Sequence, residues 1–207
     1  MKKIALAVTL AMSSLAAYAG NTTAALTADN QFALYTGNAA GTNLTLVGEG
    51  DDWQSLYTFD FNTSAGDYLY VVAKDWGGPQ AWQGAFNTPT GALYSQAASW
   101  KFIVAQSDDD STGAVQALIA NGGWAQSQAQ APNDMAPWGS IVNDGNATWM
   151  WHDNLGLAND WNQSSSSDGT YAIFRTNNVV AVPEPETYGM MLAGLGLLGV
   201  AARRRKA

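Results

Sequence analysis

The chain has 207 residues, 17 acidic against 9 basic, one histidine and no cysteine. Without cysteine there is no disulfide scaffold, and His152 alone cannot make a zinc centre. Six of the basic residues sit at the two ends, so the stretch 20–181 holds 15 acidic and three basic residues (Lys74, Lys101, Arg175), a net charge of −12. That balance argues against nucleic acid and anionic lipid as partners, and suits neutral glycans or divalent cations.

Taken in order, the chain opens with Lys2 and Lys3, then an uncharged apolar run from Ile4 to Ala17. Ala17-Tyr18-Ala19 has the small-x-small form that signal peptidase cuts. Residues 1–19 therefore read as a signal peptide, an apolar helix removed on export, with cleavage specified by Ala17 and Ala19. The stretch 20–181 is one domain by size, large enough for a full core.

The first half of that domain alternates apolar and polar residues at period two, the mark of half-buried strands. Gln31–Tyr35 and Asn43–Val47 are predicted strands. Leu56–Phe61 places Tyr57, Phe59 and Phe61 on one face, with Thr58 and Asp60 on the other. Tyr68–Ala73 is apolar throughout and is expected at the centre of a sheet. Ala81–Phe86 and Trp100–Ala105 come next, separated by Gly- and Pro-containing turns. Val115–Ala120 reads as a short helix capped near Ser111 or Thr112 and ended by Asn121-Gly122-Gly123. The Gln/Ala run Ala125–Ala131 reads as an exposed excursion. Thr148–Trp151 and Tyr171–Thr176 are two further strands, and Asn177–Val182 is a last strand or a linker. The sum is mainly β: an antiparallel sandwich of jelly-roll type.

The tail, 182–207, has three parts. Pro183-Glu184-Pro185 cannot join a helix or a central strand, so it stays extended. Tyr188–Ala202 is uncharged and Leu/Gly-rich, a predicted transmembrane helix about 15 residues long, short against the roughly 20 that a span takes. Arg203, Arg204, Arg205 and Lys206 end it as a cytoplasmic flank would. This order resembles the PEP-CTERM sorting signal of Gram-negative bacteria. The resemblance implies an exosortase-type protease as partner and a transient anchor in the inner membrane. It further implies removal of the tail near Pro183-Glu184-Pro185, then release to a cell surface or matrix rich in exopolysaccharide.

The body is also similar to galactose-binding-like jelly-roll domains. Trp149-Met150-Trp151 and Phe174-Arg175 look like a strand pair of that family, and Asp29–Tyr35 like another of its strands. Asp51-Asp52-Trp53, Tyr68–Ala73 and Gly77–Trp82 look like its middle and return. The order differs, so the match implies a circular permutation.

Residue chemistry points to a few candidate sites. Trp76 and Trp82 flank Gly77-Gly78-Pro79, and aromatic rings in loops are platforms for sugar rings; the competing reading puts Trp82 in the core with Trp76 over its edge. Trp149 and Trp151 share a face that reads as core. Asp108 and Asp110 offer oxygen ligands at alternate positions, as calcium loops do. They lack the glycine and distal Glu of an EF-hand, which favours a solvated turn. Catalysis is hard to build, since His152 beside Asp153 has no nucleophile elbow and the body holds one Glu, Glu49. The expected function is non-catalytic, with no required cofactor: an exported surface or matrix protein that binds exopolysaccharide. A purely structural matrix component and a small glycosidase are the alternatives.

Overall fold

The computed structural model describes residues 19–153, 170–181 and 192–198. The strands are β1 (Ala19–Asp29), β2 (Gln31–Gly37), β3 (Thr45–Gly50), β4 (Tyr57–Ser64), β5 (Tyr68–Lys74), β6 (Ala81–Thr88), β7 (Gly91–Tyr94) and β8 (Trp100–Val104). A helix, α1 (Thr112–Asn121), precedes β9 (Ala125–Gln126), β10 (Gln128–Ala131), β11 (Trp149–Trp151) and β12 (Tyr171–Thr176). One sheet runs β10-β11-β6-β1-β4, with β7 beside β6; the other runs β3-β2-β5-β12-β8-β9. The ladders are antiparallel.

The two sheets face each other across one apolar layer. Leu26 and Ala28 of β1, and Trp82 and Phe86 of β6, meet Phe32, Leu34, Leu69, Val71 and Phe174 of the second sheet. Strand β4 obeys its predicted alternation: Tyr57, Phe59 and Phe61 turn inward, and Thr58 and Asp60 outward. Strand β5 is central, between β2 and β12. It is apolar on both faces because its sheet is covered twice. Leu69 and Val71 face the sandwich, while Tyr70 and Val72 face Val115 and Ile119 of α1. The helix begins where expected, with Ser111 Oγ accepting from the Ala114 amide, and stops at Gly122, whose φ is 72°.

Two elements depart from expectation. The longest strand, β1, has no counterpart among the predicted strands, although it lies between β4 and β6. Its sequence, AGNTTAALTAD, has three strand-favouring Thr, but they are set among Ala, Gly, Asn and Asp with Leu26 as the one large apolar residue; cross-strand partners supply what it lacks. Second, Gln128–Ala131 is a strand with Gln130 and Ala131 buried, not an exposed excursion, because it pairs with β11. Of the two readings of the segment after β12, the linker holds: residues 177–181 form no strand, and Val180 N donates to Asp67 O at 2.8 Å, tying this segment to the β4–β5 turn.

The predicted signal helix and the charged end of the tail, including Lys2, Lys3, Ala17 and 203–206, lie outside the described residues, as do Pro183, Glu184 and Pro185. Residues 192–198 are helical. Among the described residues no helix is long and apolar enough to cross a membrane.

Candidate functional site

Register divides the sandwich into two poles. One pole carries the end of β1, the end of β5 and the start of β6, with the loops 51–56, 75–80 and 105–111; we call it the loop pole. The other carries the start of β1, the β4–β5 turn and the last described residues of the body; we call it the terminal pole.

Trp76 belongs to the loop pole and is 62% exposed, the most open Trp among the described residues. Its backbone is held even though its ring is free. Asn30 N donates to Lys74 O at 2.9 Å, and Asn30 Oδ1 accepts from Trp76 N at 2.9 Å. Gly77 and Gly78 come next with φ of 117° and 98°, values that side-chain-bearing residues resist. The chain can therefore reverse behind Trp76 and leave its ring outside.

Trp82 does not join it. Its ring is fully buried, edge-on to Trp100 at 4.8 Å and tilted on Phe174 at 5.5 Å. It offers no face to a ligand, so Trp82 is a core residue and not a sugar platform. Trp149 and Trp151 are buried as well. Trp149 leaves the main core to stack on Trp138, with centroids 5.1 Å apart, outside the first sheet.

Around the Trp138 stack, polar groups are buried with their partners. Trp138 Nε1 donates to Asp29 Oδ2 at 2.8 Å, and Asn30 Nδ2 donates to Asp29 Oδ1 at 2.7 Å. Burial pushes the Asp29 carboxyl up to about 6, against the opposing pull of the Trp138 bond. Thr27 Oγ1 donates to Trp53 O, bringing loop 51–56 over the same end of β1. Loop 132–148 is pinned on β6 by Gln83, whose Oε1 accepts from Val142 N and whose Nε2 donates to Asn133 Oδ1.

Asp108 and Asp110 meet a cation of the protein's own. Lys74 Nζ donates to Asp108 O at 3.1 Å and lies 3.4 Å from Asp110 Oδ2. A lysine in the centre of that turn competes with a metal for the same oxygens, and among the described residues no group of three His or acidic side chains gathers as a metal site. His152 is buried against the rings of Phe102 and Trp151, its Nδ1 3.6 Å from Asp153 Oδ2. Burial lowers its pKa, with Asp153 acting in the other direction.

Two clefts open on the surface. A polar cleft of about 110 Å³ lies beside Lys74, Glu49 and Asp110. A larger one, about 200 Å³, lies at the terminal pole and is lined without any charge, by Thr88, Thr90, Ser99, Thr176, Asn177 and their neighbours. Sequence reasoning missed this cleft and the role of Asn30. The cleft is built of small polar residues from separate segments, and nothing local marks them as neighbours.

The body is thus an antiparallel two-sheet β protein. Its last described segment leads into a stretch, 181–206, that matches the family described as PEP-CTERM protein-sorting motif. This is the signature of an exported protein processed by an exosortase, held briefly at the membrane before display at the cell surface. No curated protein and no solved structure matches the chain.

Proposed function

We propose that this is a non-catalytic cell-surface or extracellular-matrix protein that binds exopolysaccharide, with Trp76 as the stacking platform. Signal peptidase would cut after Ala19, and the exosortase near Pro183-Glu184-Pro185. The apolar run 188–202 would be the temporary transmembrane anchor. The galactose-binding-like jelly-roll reading of the body belongs to the same proposal; Trp149-Met150-Trp151 and Phe174-Arg175, which carry it, lie on β11 and β12.

The observation that carries the binding reading is Trp76, a large aromatic ring left in solvent on a backbone held by Asn30. An exposed indole offers a flat apolar face with a polar handle, and stacking on a neutral sugar is a use that an acidic body permits. The test is retention on a column of the producer's own exopolysaccharide. Trp76→Ala is expected to weaken retention about tenfold, the equivalent of roughly 1.4 kcal/mol. Unchanged retention removes Trp76 from the site.

A structural matrix component without glycan affinity is the second reading. It is favoured by the burial of Trp82, Trp100, Trp138, Trp149 and Trp151, which accounts for most of the tryptophan as core. Absence of any retention by the unaltered protein would select it.

A further inference from the structure

We infer that the terminal pole is the face this protein turns toward the phospholipid surface while its tail is anchored, so that the loop pole with Trp76 points outward. Two observations carry this. The first is where the chain enters and leaves. Ala19 pairs with Ser64, and Thr63 Oγ1 donates to Gly20 O at 3.2 Å. Two residues beyond Ser64, Gly66 N donates to Ala181 O at 3.0 Å. The two segments directed at the membrane, 1–19 and 182–207, therefore join the body on the same turn. Only six residues, 182–187, separate Ala181 from the apolar run. At about 3.5 Å per residue that spacer reaches roughly 20 Å, less than the length of the sandwich plus a headgroup layer.

The second observation is charge. The body is strongly acidic, yet the segments forming the terminal pole are 38–44, 64–67, 88–91, 95–99, 121–124 and 177–181, and they contain one ionisable side chain, Asp67. It is 7% exposed, and its Oδ2 accepts from Ser64 N at 2.7 Å. The charge that reaches this pole from a neighbouring strand is positive: Arg175 Nη1 donates to Ala39 O at 3.0 Å. Asp29, Asp51, Asp52, Asp75 and Asp108–Asp110 stand at the opposite pole, about 20 Å away along seven-residue strands. That exceeds two Debye lengths at physiological salt. Along β4 the next carboxylate, Asp60, is four positions from Ser64. Glu184 and Glu186 charge the spacer itself, and Asp144 stands near one edge of the face, since Asn146, whose amide its carboxylate accepts from, is bonded to Gln96; among the described residues the six segments themselves add no exposed carboxylate. Among the described residues, this is thus the pole by which an acidic body can approach an anionic bilayer.

A chain without native cysteine makes the test direct. The full chain, tail included, is reconstituted in vesicles of phosphatidylethanolamine and phosphatidylglycerol (3:1) carrying a headgroup acceptor dye. A donor dye is placed on Ala40→Cys, Ala98→Cys, Gln54→Cys or Ser107→Cys, all at exposed positions. Energy transfer is expected to be several-fold stronger from positions 40 and 98 than from 54 and 107. Equal transfer from both poles, or the reverse order, overturns the inference. In a second arm, Ala40→Glu, Ala98→Glu and Asn178→Asp together are expected to reduce transfer from a donor on Ser64→Cys. The same added charge placed as Gln54→Glu, Gln106→Glu and Ser107→Asp is expected to leave it unchanged. Equal loss from both sets overturns the electrostatic part, and the single-cysteine series still reports orientation if the triple variant fails to fold.

Discussion

Trp138 reaches across the outer face of the first sheet and donates its indole N–H to Asp29 at 2.8 Å, joining a loop without regular structure to the last residue of β1. The bond places a carboxyl group, 9% exposed, beneath two stacked indoles. Its cost is paid in proton affinity, since Asp29 titrates near 6 in the fold against 3.8 in its ordinary state. Between those values the native protein holds more protons than the unfolded chain, so stability falls as pH rises through the window and levels above it. The shift corresponds to at most about 3 kcal/mol. Urea unfolding of the unaltered protein and of Asp29→Asn at pH 5 and pH 7.5 checks this: His152, lowered by burial, favours pH 7.5 in both, so the unaltered protein is expected to gain stability toward pH 5 relative to Asp29→Asn. Asp52 and Asp109, lowered by hydrogen bonds from their own turns, act in the opposite direction at more acidic pH.

Trp76 and Trp82 should separate cleanly in stability measurements. Truncating a fully buried indole that packs on Trp100 and Phe174 leaves a cavity, so Trp82→Ala is expected to cost about 3–5 kcal/mol. Trp76→Ala should stay within about 0.5 kcal/mol, as surface changes do, while lowering the fraction of fluorescence that acrylamide quenches. A large loss of stability at position 76 would mean that its ring packs on the body.

Strand β3 lies so close to core aromatic rings that two of its residues have no room for a side chain. A Cβ on Gly48 would stand 2.1 Å from Phe59 Cε1, and one on Gly50 would stand 2.4 Å from Phe32 Cε1. Both neighbours are rings packed on the core, so the overlap cannot be relieved at a flexible chain end. Gly48→Ala and Gly50→Ala are each expected to destabilise by about 1–3 kcal/mol in denaturant titration. Gly145→Ala, where a Cβ would have open space, is the control.

Gln83 is another tie of loop 132–148, and it is fully buried on β6. Its amide accepts from Val142 N at 3.1 Å and donates to Asn133 Oδ1 at 2.9 Å; Asn133 in turn donates to Val142 O and Asp144 O. Gln83→Leu keeps the volume and strands those groups without partners. A loss of about 1–3 kcal/mol is expected, together with faster hydrogen exchange at the Val142 amide than at the amides of β5.

Much was legible in the chain alone, because it is written in local pattern. The faces of β4, the double-sided burial of β5 and the two caps of α1 arise from period, propensity and capping chemistry, which need no knowledge of distant residues. The tail motif is likewise contiguous, and its match to the sorting family rests on neighbours in sequence. Strand β1 was invisible for the converse reason: it has one large apolar residue, Leu26, and its Thr are diluted by Ala, Gly and Asn, so no period shows, and the strand exists because β4 and β6 pair with it on both sides. Trp82 and Trp76 look alike in a sequence, each beside the same glycine-rich loop. Only the packing of two sheets buries one and leaves the other in solvent.

Composition established a strongly acidic body ahead of a C-terminal sorting motif, and on charge alone it argued against anionic lipid as a partner. Tertiary structure decided where that charge lies. Antiparallel pairing returned both ends of the body to the turn between Ser64 and Asp67 and carried most of the described carboxylates to the loop pole or the strands between. Electrostatics acts through space over roughly a Debye length, so the position of a charge, more than its count, determines which surface can approach a membrane.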